Sequence, residues 1–352
     1  MSITSHKSHP LVPSPLVPSP LVPSWRLGTP LETLAPDPSR DSGSGRHAQR
    51  DAGHENRTLC DDAAVVKDQD FYVRVGCARN SQTFVAQQYT AYPFRLSRTF
   101  RLDEGSDKQI RDRRAYLYLM NSAPGVFGGD RLNLGLTLEP NAHLYLTDQA
   151  ATKVHKMPVT DGSDSFAQLS WHITVGAGAS LEFVLEPLIL YAEAQLSQST
   201  TITLDPISNL FVSEIIVPGR LARSEYYQFR EYHNRLRVLS PDGTLLFGDT
   251  MRLVGQSNLF KDSIFFAKYP LMANIYTVLP TIDLEQLSHE LATNSQLKSS
   301  DLLTGFSPLP NCNGLLIKVM GDRVGQIQSY IYDVLSHIRN AKNEPDVPYI
   351  PK

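Results

Sequence analysis

Two imidazoles at H-x-H or H-x-x-x-H spacing would face one metal ion, so the ten histidines are the first residues to examine. No such pair exists, and His143, His155, His172, His233, His289 and His337 each stand alone in the sequence. Cys60, Cys77 and Cys312 are odd in number and far apart, and none has C-x-x-C spacing. They build neither a disulfide framework nor a thiolate metal knuckle, and they point to a reduced, cytoplasmic setting. The G-x-S-x-G turn of a serine nucleophile, the G-x-x-x-x-G-K-[ST] phosphate loop and the G-x-G-x-x-G fingerprint are all absent. Glu182 and Glu186 remain, sharing one strand face with Val184. Two carboxylates so placed would suit acid–base work on a glycosidic bond, and the competing reading is a solvent-facing pair. By elimination the chain reads as a binding or scaffolding protein rather than an enzyme, although groups gathered from distant segments leave no local motif.

Two loops carry more information. The run from Asn121 to Leu132 ends in Gly128, Gly129 and Asp130, where adjacent glycines permit close backbone approach. The aspartate there either caps its own turn or points inward. The run Thr147-Asp-Gln-Ala-Ala-Thr-Lys-Val-His-Lys156 places small polar side chains and a lysine after a strand edge.

Strands must position these loops. Leu132, Leu134, Leu136 and Leu138 alternate with polar or small residues, the period of a half-buried strand. Leu144 and Leu146 follow, then Leu169 to Val175, Leu181 to Leu185, Ile202 with Leu204, and Leu210 with Val212. Turn-forming clusters join them at Glu139-Pro-Asn-Ala-His143, Gly176-Ala-Gly-Ala-Ser180 and Asp205-Pro-Ile-Ser-Asn209. The spacing is too irregular for a strict solenoid repeat. Helices come late: Leu284, Leu287 and Leu291 follow Asp283 as N-cap, and Ile327, Ile331, Val334, Leu335 and Ile338 mark one helical stripe. The expected fold is mainly β, with stacked sheets in a β-helix-like or sandwich-like arrangement and a short C-terminal helical region.

The chain has 352 residues, 41% of them hydrophobic, enough for a sizeable core. Nine of its 24 prolines precede residue 40, in a repeated Leu-Val-Pro-Ser-Pro unit followed by polar residues. Residues 1–68 are therefore expected to be a disordered Pro/Ser-rich tail, 69–342 a β-rich domain, and 343–352, with three prolines, an extended peptide that trails. A formal net charge of -3 gives no positive field for nucleic acid, and no apolar run approaches the length of a membrane span.

In this order the segments resemble the UreD (UreH) family of urease accessory proteins, over roughly Phe71 to Leu253. The family's Pro-Gly-Gly-x-x-x-Gly-Asp is similar to Pro124, Gly125, Gly128, Gly129 and Asp130. Its Thr-x-Gln-Ala-Ala-x-Lys-Val-Tyr is similar to the stretch with Thr147, Gln149 and Lys153, and its Gly-Arg-x-x-x-Gly-Glu to Gly219, Arg220 and Glu225. The run from Leu245 to Asp249 echoes a fourth segment. Val126, His155 and Ser224 depart from the pattern, standing where the family has glycine, tyrosine and glycine. The resemblance implies a non-enzymatic chaperone or scaffold for nickel insertion. It would bind apo-urease and UreF, and through UreF the GTPase UreG, with Ni(II) only in transit and no permanent cofactor. It further implies a transient nickel path, for which Asp130, Glu225 and Asp249, each closing a matched segment, are the candidates. Carboxylates and waters suit such a path, because a histidine–cysteine cage would trap the ion.

Overall fold

A computed structural model describes residues 68–104, 113–157, 159–160, 163–255, 262–294 and 301–352. The tail expected over 1–68 lies outside them except for Asp68. The strands, in order, are β1 (Phe71–Cys77), β2 (Thr83–Thr90), β3 (Phe94–Leu96), β4 (Arg114–Asn121), β5 (Arg131–Leu138), β6 (His143–Asp148), β7 (Thr152–Val154), β8 (Val159–Thr160), β9 (Ser163–Asp164), β10 (Ala167–Val175), β11 (Ser180–Val184), β12 (Leu188–Leu190), β13 (Gln195–Leu204), β14 (Asn209–Val217), β15 (Glu231–Leu239), β16 (Leu245–Val254), β17 (Leu271–Val278), β18 (Leu302–Pro308) and β19 (Gly314–Gly321). Three described helices follow β16: α1 (Ile264–Lys268), α2 (Leu284–Thr293) and α3 (Val324–Ala341).

The three turn clusters decide the architecture. Each carries the chain out of one sheet and into the other, so that β5, β10, β13 and β15 run parallel in the first sheet, and β6, β11 and β14 run parallel in the second. The turns stack on one another. Gly176 N donates to Leu138 O at 2.9 Å, Asn141 N to Ala177 O at 2.9 Å and Asn209 N to Ala179 O at 2.9 Å, while Ser208 Oγ donates to Gly176 O at 2.6 Å. The buried turn backbone thereby finds partners from one rung to the next. The sheets complete as β16-β15-β13-β10-β5-β1-β2 and β18-β19-β17-β14-β11-β6-β4-β3, with β12 and β7 attached beside β14. This is the β-helix-like stack expected. The uneven spacing along the chain reflects β7, β8, β9 and β12, inserted between rungs that stay in register.

Burial sorts the layers. The first sheet has an open face, so β13 alternates strictly between partly exposed and buried residues. Strands β4, β6 and β11 are buried on both faces. One face packs against the first sheet through Leu134, Leu136, Trp171 and Phe183, and the other packs under α2 and α3 through Tyr116, Tyr145, Leu287, Ile331 and Leu335. Asp283 caps α2 as expected, accepting from Glu285 N at 3.0 Å and Gln286 N at 3.1 Å.

Two expectations need correction. Glu182 and Glu186 do not face solvent: both are turned toward α3, where Arg339 binds Glu182 and Gln328 Nε2 donates to Glu186 at 3.0 Å. Residues 343–352 contain no helix or strand, but they do not trail. They form a strap against α3, with Val347 N donating to Ser336 Oγ at 3.2 Å and Ile350 buried in the helix-side core.

An ion network fastens helix and strap to the second sheet. Arg339 is 0% exposed, and its Nε donates to Glu182 at 2.9 Å while its Nη2 grips the other carboxylate oxygen. Its Nη1 reaches Asp103 at 3.2 Å and the Asp346 carbonyl at 3.1 Å. Arg114 binds Glu182 at 3.1 Å and the strap's Glu344 at 2.6 Å. Burial opposes ionisation of Glu182, but the two guanidiniums outweigh it and hold the carboxyl below its ordinary range. A carboxyl so held has no proton to give as a general acid. Arg339→Ala would leave Glu182 and Asp103 buried with less compensation, at an expected loss of about 3–5 kcal/mol in urea unfolding, part of which Glu182→Gln in the same chain should return.

Candidate functional site

The three segments that carry the family resemblance meet on one surface. The loop before β5 pairs with β7, as Val126 N donates to Lys153 O at 2.8 Å and His155 N to Val126 O at 2.9 Å. A side chain on Gly125 would stand 2.3 Å from Lys153 O, so glycine is required for this approach. Val126, standing where the family has glycine, turns its side chain into the core at 1% exposure. The Phe127 ring stacks on His155 at 4.5 Å, and His155 meets Tyr191 edge-on at 5.1 Å. Arg220 lies over Tyr191 at 4.6 Å, and its Nε donates to Glu225 at 2.8 Å. The result is a ladder of rings and charges, with Phe127 40% exposed at its end. The loop behind it is tightly specified: Gly219 has φ +136°, and a Cβ there would lie 1.8 Å from Glu225 O. Ser224 holds φ +58°, which explains why glycine suits that position.

Asp130, Glu225 and Asp249 are not brought together, and no hydrogen bond or ion pair joins any two of them. Asp130 caps its own turn, accepting from Phe127 N at 2.8 Å, with Gly128 and Gly129 inside that turn. Glu225 is the two-pronged partner of Arg220, whose hydrogen bonding lowers its pKa. Asp249 points between the sheets from β16, accepting from Tyr276 OH at 2.8 Å with Lys318 Nζ at 3.7 Å.

Other carboxylates line the interior. Where the second sheet's central strands finish and the first sheet's begin, a cavity opens between the sheets, with about 730 Å³ of empty space, part of it open to solvent. Its lining is mostly apolar, with Leu132, Trp171 and Leu188 among it. Asp148, Glu214, Gln198 and Tyr232 add polar groups, while Glu186 borders it with a carboxylate held on the α3 side by Gln328 and Lys352. Asp148 accepts from Glu186 N at 3.2 Å. Burial lifts its carboxyl to about 7, against the pull of that hydrogen bond and of Lys352. Glu214 accepts from Asn234 Nδ2 at 2.7 Å and Asn274 Nδ2 at 2.8 Å, bridging the two sheets. Burial raises its pKa, the two amides oppose this, and Asp249 adds repulsion. A polar seam thus runs from the cavity at Glu214 toward Asp249. Among the described residues no group of three or more His, Cys, Asp or Glu is close enough to hold a metal ion, and no helix is long and apolar enough to cross a membrane. Sequence reasoning left Glu186 open and passed over Asp148 and Glu214. The available signal was Glu214 itself, one acidic residue in the apolar run Phe211-Val-Ser-Glu-Ile-Ile-Val217.

Comparison with known proteins adds to this geometry. The family model described as UreD urease accessory protein matches residues 70–352, so the likeness continues past Leu253 through the strap. A protein of Trichodesmium erythraeum named urease accessory protein UreD is 45% identical over 280 residues, covering 80% of this chain and 98% of that protein. One of the same name from Haloarcula marismortui is 28% identical over 257 residues, covering 73% of this chain and 81% of its own. Urease accessory protein UreH of Helicobacter pylori is 35% identical over 141 residues, covering 40% of this chain and 51% of its own.

The raised Asp148 pKa has a signed consequence. A carboxyl that ionises less readily folded than unfolded weakens the fold as pH rises from about 4 to about 7. Asp148→Asn removes the charge and keeps an acceptor for Glu186 N. Its melting temperature should exceed the wild type's above pH 7, and the gap should close as pH falls toward 4.

Proposed function

Because this chain belongs to the UreD family of urease accessory proteins, we propose that it acts in the cytoplasm as a non-catalytic scaffold for nickel insertion into apo-urease. In this reading it binds urease and UreF, and through UreF the GTPase UreG. Nickel is cargo, passing between the two sheets. The observation that carries the nickel step is the cavity lined by Asp148, Glu186 and Glu214. Oxygen donors beside such a cavity would attract a divalent ion and release it again, whereas imidazole and thiolate would hold it longer. Asp148, with a carboxyl near 7, exchanges a proton for a passing cation at little cost in charge. Asp249 extends the same route along the seam. Asp130 and Glu225 are assigned instead to shaping the outer surface, one as a turn cap and one as the counter-ion of Arg220.

The ring ladder suits a protein partner. Phe127 is a large exposed aromatic held rigid by His155, and rigid aromatics contribute strongly at interfaces because little side-chain entropy is lost on docking.

Co-expression of the tagged chain with urease, UreF and UreG separates the two roles. Glu214→Gln should leave the complex intact and lower the nickel content and activity of the urease. Phe127→Ala should weaken capture of a partner without changing the chain's melting temperature. Unchanged nickel content with Glu214→Gln would remove that residue from the route, and a chain that captures neither urease nor UreF would count against the whole reading.

A further inference from the structure

The strap reaches the edge of the cavity at Lys352. From α3 it runs past Arg114 and Ile350 to Lys352, whose Nζ lies 2.8 Å from Glu186 Oε1, 2.8 Å from Thr147 Oγ1 and 2.7 Å from the Asp148 carbonyl oxygen. The ammonium also sits 5.6 Å from the centre of the Tyr118 ring. A carboxylate, a hydroxyl and a carbonyl converging on one positive charge form a cation seat, and the seat is taken by a side chain of the same molecule. Both ends of this contact are fixed. Gln328 of α3 holds the second oxygen of Glu186 at 3.0 Å, and Glu344 ties the strap to Arg114 at 2.6 Å. Only the Lys352 side chain, 27% exposed, is left without further fastening beyond the seat itself.

We propose that Lys352 is a built-in counter-cation that guards the Asp148–Glu186 rim, and that a divalent ion enters the cavity by displacing its ammonium. The proposal rests on the nickel route described above. Guarding follows from charge: the Glu186 carboxylate at the cavity edge collects stray cations, and a tethered ammonium 2.8 Å away offsets that charge without entering the passage. A divalent ion competes through its double charge. The lysine swings into solvent on its own flexible stem, so no backbone need move.

Equilibrium dialysis of the purified full-length chain against Ni(II) alone tests this. The Lys352 variants are measured with and without Glu186→Gln, so that the difference isolates binding at the rim from binding elsewhere. Lys352→Gln keeps a donor for Thr147 and the Asp148 carbonyl but removes the charge, and it should raise rim affinity by about fivefold, the worth of one partly exposed ion pair. Lys352→Arg should leave affinity and melting temperature near the wild type, while Lys352→Gln should lower the melting temperature by no more than the loss of one partly exposed ion pair. If Lys352→Gln leaves nickel affinity unchanged while Glu186→Gln lowers it, the rim binds the ion and the guard is overturned. If neither Glu186→Gln nor Asp148→Asn lowers nickel binding, the route itself fails and the guard falls with it.

Discussion

The pairing of Arg339 with Glu182 sets what the second sheet can carry on its outer face. A carboxylate in the middle of β11, buried between a sheet and a helix, is tolerable only with full compensation. Arg339 and Arg114 supply it, and in doing so they fix α3, residues 101–104 and the strap in one arrangement. Everything on that side follows from this anchor: Gln328 faces Glu186, Ile350 enters the helix-side core, and Lys352 reaches Thr147.

Buried acids elsewhere in the molecule are handled differently. Glu182 is paired with two guanidiniums and kept ionised. Glu214 is given two amide donors, and burial outweighs them and the pull of Lys318, so its carboxyl shifts upward. Asp148 has one backbone donor and titrates near neutrality. Only the first arrangement locks a charge in place. The other two leave carboxylates without a guanidinium partner, and both of these line the space between the sheets.

Much of the fold was legible in the sequence because its determinants are local. The turn clusters at 139–143, 176–180 and 205–209 named the rungs, the alternation of Leu132 to Leu138 named a sheet face, and the stripe from Ile327 to Ile338 named α3. Strands β17 and β19, which read as apolar runs without a clean period, were passed over between the helices. The site was harder to read because its contacts are long-range. Arg339 and Glu182 are 157 residues apart, Lys352 and the Asp148 carbonyl 204, and nothing in either neighbourhood announces the other. The three motif segments meet on one surface through contacts that their sequence order does not announce. Of their acidic ends, Asp130 is satisfied by its own turn, accepting from Phe127 N, as an aspartate closing a Gly-Gly turn can be.

The helix-anchored face, the ring ladder and the cavity between the sheets lie in separate parts of the chain, so the proposed docking and ion-carrying roles do not compete for the same residues. The most direct measurement is anomalous diffraction at the nickel edge from crystals of this chain bound to urease and grown with Ni(II). Nickel signal between the two sheets, beside Asp148, Glu186 or Glu214, is the expected result. Nickel found only on outer-surface histidines, with none between the sheets, would contradict a route through the molecule.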